Sequence, residues 1–325
     1  MLDEITQNVV DRVSLGKKSS LVKTVGTPNY FASIIPVNGQ YIASCTDGVG
    51  SKVEHIIKHG VRGYGSGPKT IGIDCFAMNI NDLLCVGANP ISFQNHITTS
   101  KSDAHIIPDV IDGMVECCDN YFVVLSGGET EVLSETKFHI SGSAWGTIVH
   151  EDYLIDGTTV EDGDVIIGLE SNGIHANGWT SLYNVGFISQ YSIDSSIIRP
   201  TKIYSPDIIP LSTRMKPKAV INITGGGFRN LERIPVKNLT YDISHNPEQP
   251  VFKDIKTCFS HNEMYSTFNM GVGMMVIVSP TDVDTALEVM RDSQVIGSVR
   301  KSLFESSVMV NGEVLTSDVT TVCDI

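Results

Sequence analysis

The segment Thr46-Asp47-Gly48-Val49-Gly50-Ser51-Lys52 gathers a carboxylate, two glycines and a lysine into seven residues. It follows the apolar run Tyr41–Cys45, where a strand is expected to end. Glycines let backbone N–H groups come close to an anion. An aspartate is an oxygen ligand for Mg²⁺, and a lysine is a point charge for phosphate. The combination points to a nucleoside triphosphate site. The competing reading is a surface turn, because Asp-Gly is a common turn dipeptide.

Further along, Ser126-Gly127-Gly128-Glu129-Thr130 follows the strand pattern Phe122–Leu125 and offers backbone donors, a carboxylate and a hydroxyl at a strand's end. Open sheets place ligands at such ends; a tight turn is the alternative. Asp74 and the pair Asn81-Asp82 bracket a predicted helix. Eight residues at 1.5 Å each separate the two aspartates by about 12 Å, too far to share one ion. Asp74 fits either a separate ion or a helix N-cap. Asp82 lies in an apolar stretch, where a charge needs a partner.

Ser171-Asn172-Gly173-Ile174-His175-Ala176-Asn177-Gly178 is dense in small hydrogen-bonding residues, suited to phosphate or amide recognition at a helix start. A second glycine loop, Gly225-Gly226-Gly227, follows the strand pattern Ala219–Ile223. His261 and Glu263 lie close enough for an acid–base or orienting pair, although a lone histidine is commonly structural. The stretch from Gly63 to Thr70 is not a phosphate-binding P-loop, because Pro68 stands where that motif needs glycine before Lys69. It reads as a loop.

The elements that must position these residues alternate between β-branched runs and helical periodicity, which defines an α/β or α+β class. Strands are expected at Tyr41–Cys45, Phe122–Leu125, Phe138–Val149, Val165–Leu169, Ala219–Ile223 and Gly273–Val278. Helical spacing marks Ile80, Leu83, Leu84 and Gly87, then Ile107, Val110, Ile111 and Met114, then Val283, Ala286, Leu287 and Met290. A polar, turn-rich stretch from Glu151 to Gly157 divides the chain into expected domains 1–150 and 151–325.

A net charge of −14 in 325 residues argues against a nucleic-acid surface. It leaves room for a small anionic ligand held by local N–H groups. No apolar run reaches the roughly 18 residues of a membrane span. The start Met1-Leu2-Asp3-Glu4 lacks the features of a signal peptide. Seven cysteines without a CxxC pair indicate neither zinc nor a disulfide framework, so a reducing cytoplasm is the expected compartment.

Taken together, the motifs resemble the phosphoribosylformylglycinamidine cyclo-ligase (AIR synthase) family from about Ser44 to Met275. The resemblance is carried by TDGVGSK (46–52), GIDCFAMNINDLLCVGANP (72–90), SGGETE (126–131), DGTTVEDGDVIIGLESNGIHANG (156–178), RPTKIY (199–204), TGGGFRN (224–230) and HNEMYSTFNMGVGM (261–274). It implies a two-domain fold with an N-terminal mixed sheet that forms a barrel-like homodimer interface, plus a C-terminal α/β domain. It also implies ATP-dependent ring closure of formylglycinamidine ribonucleotide to aminoimidazole ribonucleotide. Asp47, Asp82 and Glu129 become the expected Mg²⁺ ligands. Gly48, Gly50, Lys52, Asp74, Asn81, Gly127, Gly128 and Thr130 join the expected ATP site. Asn172, Gly173, His175, Asn177, Gly225–Gly227 and Glu263 are expected at the substrate. His261, Lys52 and Asp82 are the expected catalytic groups, with Lys52 facing phosphate and His261 near the reacting centre.

The chain departs from the family in two places. Residues 27–33 lack the family's glycine-rich opening. In residues 91–103, Asn95 stands for an expected Asp and Ser100 for an expected Gly. The alternatives are a related kinase or synthetase sharing the aspartate-rich ATP site, or a nucleotide-binding protein without turnover.

Overall fold

Each half of the chain folds its alternating and all-apolar segments into one mixed sheet. The structure, a computed structural model, describes residues 9, 12, 13, 23–59, 67–187 and 197–317. The first sheet contains β1 (Ser33–Val37), β2 (Gln40–Gly48), β3 (Asn89–Ser100), β4 (Val124–Leu133) and β5 (His139–Ile148) in the order β1-β2-β5-β3-β4. Only the β3–β4 pairing is parallel.

Alternation in β5 turns Ile140, Gly142, Ala144, Gly146 and Ile148 inward. Those small residues let a helix lie close. Three helices cover this sheet: α1 (Lys52–His59), α2 (Pro68–Cys85) and α3 (Ile107–Tyr121). Pro68 opens α2, where its missing N–H costs no hydrogen bond. The helix α2 packs across β2 and β5 and also touches the second sheet at β7. It crosses α3 through Gly72 and Gly113; a Cβ at either would run into the backbone carbonyl of Val110 or Lys69.

The second sheet runs β12-β11-β8-β10-β6-β9-β7. Its strands are β6 (Val165–Glu170), β7 (Ala219–Asn222), β8 (Leu239–Ile243), β9 (Val272–Val278), β10 (Ser293–Lys301), β11 (Ser307–Val310) and β12 (Glu313–Val314). β9, VGMMVIV, is buried at every position and pairs with β6 and β7, the position that a continuous apolar run demands. The helices here are α4 (Trp179–Asn184), α5 (Ser205–Arg214), α6 (Pro250–Ile255), α7 (His261–Thr267) and α8 (Val283–Val289). Among the described residues no helix is long and apolar enough to cross a membrane.

The expected strands and helices fall where their periodicity put them, with three differences. Phe122 is not in a strand but closes α3 at φ +56°, Gly87 lies beyond the end of α2, and the third is in β4. Ser126–Thr130 is not a loop after a strand but the middle of β4, paired in parallel with β3 across a bulge at Ser126. Gly128 serves packing. A Cβ on Gly128 would come 2.8 Å from Asn95 Nδ2. Residues 63–66 of the Gly63–Thr70 loop lie outside the described residues, and Gly67 caps α2.

Candidate active site

Helix α2 carries four polar side chains in an apolar environment, and each goes to a different partner. Asp74 Oδ2 is 2.7 Å from Lys52 Nζ, with both side chains fully buried. Asp74 Oδ1 accepts from the Thr201 N–H and hydroxyl, each at 2.7 Å. Lys52 Nζ also donates to the Arg199 carbonyl at 2.8 Å. Burial pulls the Lys52 ammonium down from its usual pKa, and Asp74 opposes that pull.

Lys52, expected to face phosphate, is thus the counter-ion of a buried carboxylate. Asp74, expected at ATP or as an N-cap, sits mid-helix in that pair. Asn81, expected at ATP, instead fixes the 202–204 backbone: its Nδ2 donates to the Lys202 carbonyl and its Oδ1 accepts from the Tyr204 N–H.

Asn79 and Asp82 face the other way, toward β2. Asn79 exchanges two hydrogen bonds with the backbone of Asp47, Asp47 N–H to Oδ1 at 3.0 Å and Nδ2 to the Asp47 carbonyl at 3.2 Å. That fixes Asp47 in position. Asp82 Oδ1 accepts from Asn222 Nδ2 at 2.8 Å. Burial raises the Asp82 carboxyl to about 7, with Asn222 opposing and the charge of Asp47 adding to the rise. Burial likewise raises Asp47, opposed by the Gly48 N–H and by Arg233. Asp47 Oδ1 accepts that Gly48 N–H at 2.7 Å.

Asp47 and Asp82 are both desolvated, the charge of Asp47 raises Asp82, and Arg233 opposes the rise in both; carboxylates in such a state would gain from a divalent cation. Mg²⁺ is commonly held by one or two carboxylates together with substrate phosphates and waters, and this pair fits that pattern. Arg233 lies 4.7 Å from the Phe31 ring and donates to the Tyr30 carbonyl at 3.4 Å. It therefore ties the glycine-poor 27–33 segment to the acidic pair. The nearby thiols of Cys45 and Cys85 are pushed well up by burial and by these carboxylates, so they are not nucleophiles.

Asp47 opens onto a cleft of about 490 Å³ between the 46–52 turn and the loop leading into α4, lined also by Gly48, Gly50, Asn177, Thr180 and Thr267. Gly50 makes the turn with φ +70° and nothing near its Cα on the side-chain side. Ser51 and Thr180 bridge the walls through their hydroxyls at 2.8 Å. Asn177 Oδ1 lies 3.5 Å from where a Gly225 Cβ would stand, so Asn177 and the second glycine loop share one neighbourhood.

The C-terminal motifs interlock around that loop. Asn269 Nδ2 donates to the carbonyls of Gly173 and Ile174 at 2.8 and 3.0 Å. Gly227, at φ +54°, lies against the Tyr265 carbonyl with no room for a Cβ, and Gly226 packs on Asn230. Gly273 leaves space for the Tyr204 hydroxyl and the His175 ring. His175 itself adopts φ +65°, a costly conformation for a non-glycine residue. Trp179 Nε1 holds it by donating to its carbonyl at 2.8 Å. Its ring accepts the Lys202 N–H at 3.4 Å, and burial pushes its pKa down to about 3. His175, expected at the substrate, is a neutral structural imidazole.

His261, expected near the reacting centre, begins α7 and donates from Nε2 to the Val310 carbonyl at 3.0 Å, with its ring 4.9 Å from Tyr265. It is anchored to β11. Glu263 is buried with its pKa raised by desolvation, and its Oε2 has no hydrogen-bond partner. Asn172 faces a separate cavity on the other side of the loop.

Glu129 does not join Asp47 and Asp82. β4 is the edge strand, three positions from β2, about 14 Å at ordinary strand spacing. With Gly127, Gly128 and Thr130 it lies on an exposed edge. No group of three or more acidic, histidine or cysteine side chains converges on one point among the described residues. Asn79, Asn222, Arg233 and Thr267 were not singled out from sequence. For Asn79 a signal was present, an amide on the apolar helical run beside Asn81.

Two sheets of this order, joined by α2 over a cleft with a carboxylate wall, define an AIR synthase related protein. Residues 31–148 match the model described as "AIR synthase related protein, N-terminal domain", and residues 161–307 match "AIR synthase related protein, C-terminal domain". Solved structures share the fold: AaThiL complexed with AMPPCP and TMP (TM-score 0.66, 14% identity, 95% of this chain and 94% of that one). So does the hydrogenase maturation protein HypE in complex with ATP (TM-score 0.65, 16% identity, 87% of each chain).

The chain belongs to the phosphoribosylformylglycinamidine cyclo-ligase family. The cyclo-ligase of Caldicellulosiruptor saccharolyticus is 34% identical over 310 residues, 87% of this chain and 89% of that protein. That of Methanococcus vannielii is 31% identical over 327 residues, 96% and 91% respectively.

Proposed function

We propose that this protein is the ATP-dependent cyclo-ligase that closes the imidazole ring of aminoimidazole ribonucleotide from formylglycinamidine ribonucleotide. ADP and phosphate are the other products, in purine biosynthesis. The observation that carries this reading is the identity of about a third to cyclo-ligases over nine-tenths of their length, running through both sheets. The interlocking of the 224–230 and 261–274 motifs around the 171–178 loop supports it.

The chemistry is transfer of the γ-phosphoryl group to the formyl oxygen, attack of the ring-forming nitrogen on the activated carbon, and loss of phosphate. The demand on the protein is positioning and charge neutralisation. Asp47 and Asp82 would hold Mg²⁺, which neutralises charge on the transferring phosphoryl group. ATP is assigned to the cleft bounded by Gly48, Gly50 and Ser51. Asn177 and the 225–227 loop are assigned to the substrate. Asp74 and Lys52 hold the 199–204 backbone in place.

Residues 1–150 are proposed as the nucleotide-binding and dimerising domain and 151–325 as the second domain, in a cytoplasmic homodimer. The exposed edge strand β4, with Val124, Val132 and Leu133 outward, is the proposed dimer face, and Glu129 is assigned to it rather than to the ion at Asp47. The test is incubation of the purified protein with formylglycinamidine ribonucleotide and Mg-ATP. Equal amounts of ADP and aminoimidazole ribonucleotide support the reading. ADP without the imidazole product contradicts it.

A further inference from the structure

The segment Arg199–Tyr204 is gripped from one side and open on the other. Lys52 Nζ holds the Arg199 carbonyl, Asp74 holds Thr201, and Asn81 holds Lys202 and Tyr204. The opposite side looks into a cavity of about 570 Å³. The wall is fixed by its own backbone, so a ligand there would find its contacts already in place.

The chemistry of the lining is two-sided. Arg199 lines the cavity, and its guanidinium makes no ion pair among the described residues. The Lys202 ammonium lies 5.3 Å from the Tyr204 ring, with its charge felt at Asp207, and has a long 3.7 Å contact with Asp292, a carboxylate that is 74% exposed. Arginine and lysine converging on one space suit a phosphate group. On the same lining, Asn172 Oδ1 is buried and accepts no hydrogen bond, a deficit that calls for a hydroxyl or amine donor. Glu170 and Asp292 are further acceptors. Glu170 receives only a long 3.4 Å contact from Gln249.

A bare anion would leave Asn172 unmet and face two carboxylates. A bare cation would face Arg199 and Lys202. A ligand with a phosphate at one end and donating hydroxyls at the other satisfies both sets.

We propose that this cavity binds a sugar phosphate, with Arg199 and Lys202 on the phosphate and Asn172 Oδ1 accepting from a hydroxyl. The site stands on these residues whether or not the ring-closing reading holds. Two sources supply this chemistry: the phosphoribosyl end of a ribonucleotide substrate, and a free sugar phosphate.

The experiment is calorimetric titration of the full chain with ribose 5-phosphate and, separately, with inorganic phosphate. Saturable ribose 5-phosphate binding is expected. Arg199→Gln and Lys202→Gln should each weaken it about tenfold or more, as loss of a charged hydrogen bond does. Asn172→Ala should weaken ribose 5-phosphate but not inorganic phosphate. Lys52 holds the backbone of residue 199, so Arg199→Gln keeps the wall and should keep the wild-type thermal transition, even if Lys202→Gln does not.

If formylglycinamidine ribonucleotide displaces the sugar phosphate and Arg199→Gln raises its KM, the source is the substrate. If both bind at once, the source is a free sugar phosphate. Absence of saturable ribose 5-phosphate binding overturns the proposal. So does unchanged affinity in Arg199→Gln.

Discussion

Replacing Lys52 with methionine separates a structural role from a phosphate-binding one. The ammonium and the Asp74 carboxylate are both fully buried, 2.7 Å apart. Lys52→Met would leave Asp74 charged in the interior with only the two Thr201 donors. Removing one partner of a buried pair costs about 3–5 kcal/mol, because the remaining charge is uncompensated. At roughly 2.1 cal/mol/K per residue, 325 residues carry an unfolding entropy near 0.7 kcal/mol/K. A loss of about 4 kcal/mol then lowers Tm by about 6 °C.

The double variant Lys52→Met/Asp74→Asn should recover part of this. The buried charge is gone, while an amide oxygen still accepts from Thr201. The assay is thermal unfolding of wild type and the two variants beside equilibrium ATP binding. A Lys52→Met protein that melts like wild type but loses ATP affinity would refute the argument, and would restore Lys52 to the phosphate.

Three further outcomes follow from the site. Asp82 is raised to about 7 in the folded chain from its ordinary value of 3.8, so its contribution is favourable below about pH 4 and is lost as pH rises through about 7. Without Mg²⁺, wild type should lose up to about 4 kcal/mol across that window, less to the extent that Asp82 keeps solvent contact. Asp82→Asn should lose little, and equal pH slopes in the two proteins would show the carboxyl is not desolvated. His175, held down to about 3, should show no imidazole titration by NMR between about pH 5 and 8; a midpoint near 6.5 would contradict its burial. His261→Ala removes the bond to the Val310 carbonyl and should cost about 1 kcal/mol of stability with kcat within a few-fold. A collapse of kcat with an unchanged melt would place His261 at the reacting centre after all.

The fold was legible where one periodicity governed a segment. β5 alternates and β9 is apolar throughout, and each has the environment that its pattern requires. Ser126–Thr130 misled because a double glycine signals a turn locally. Only the neighbouring strand, pressing Asn95 against Gly128, shows why a glycine is needed there.

The site divides in the same way. Asp82 stood out because a charge on an apolar helix needs a partner, but Asn222 is 140 residues further along and nothing local points to it. Lys52 and Asp74 each had the right chemistry for a nucleotide, and the fold pairs them with each other instead. His175 and His261 look reactive as residue types. What decides them is a carbonyl or an N–H contributed by distant backbone.

The most direct measurement is turnover of wild type, Asp47→Asn and Asp82→Asn with formylglycinamidine ribonucleotide and a Mg²⁺ titration, following ADP and aminoimidazole ribonucleotide together. Wild type should form the two products one for one with Mg²⁺ dependence. Both variants should keep a cooperative thermal transition and lose product formation. Near-wild-type turnover by either variant, or imidazole formation that ignores Mg²⁺, would contradict the placement of the metal and phosphoryl chemistry at Asp47 and Asp82.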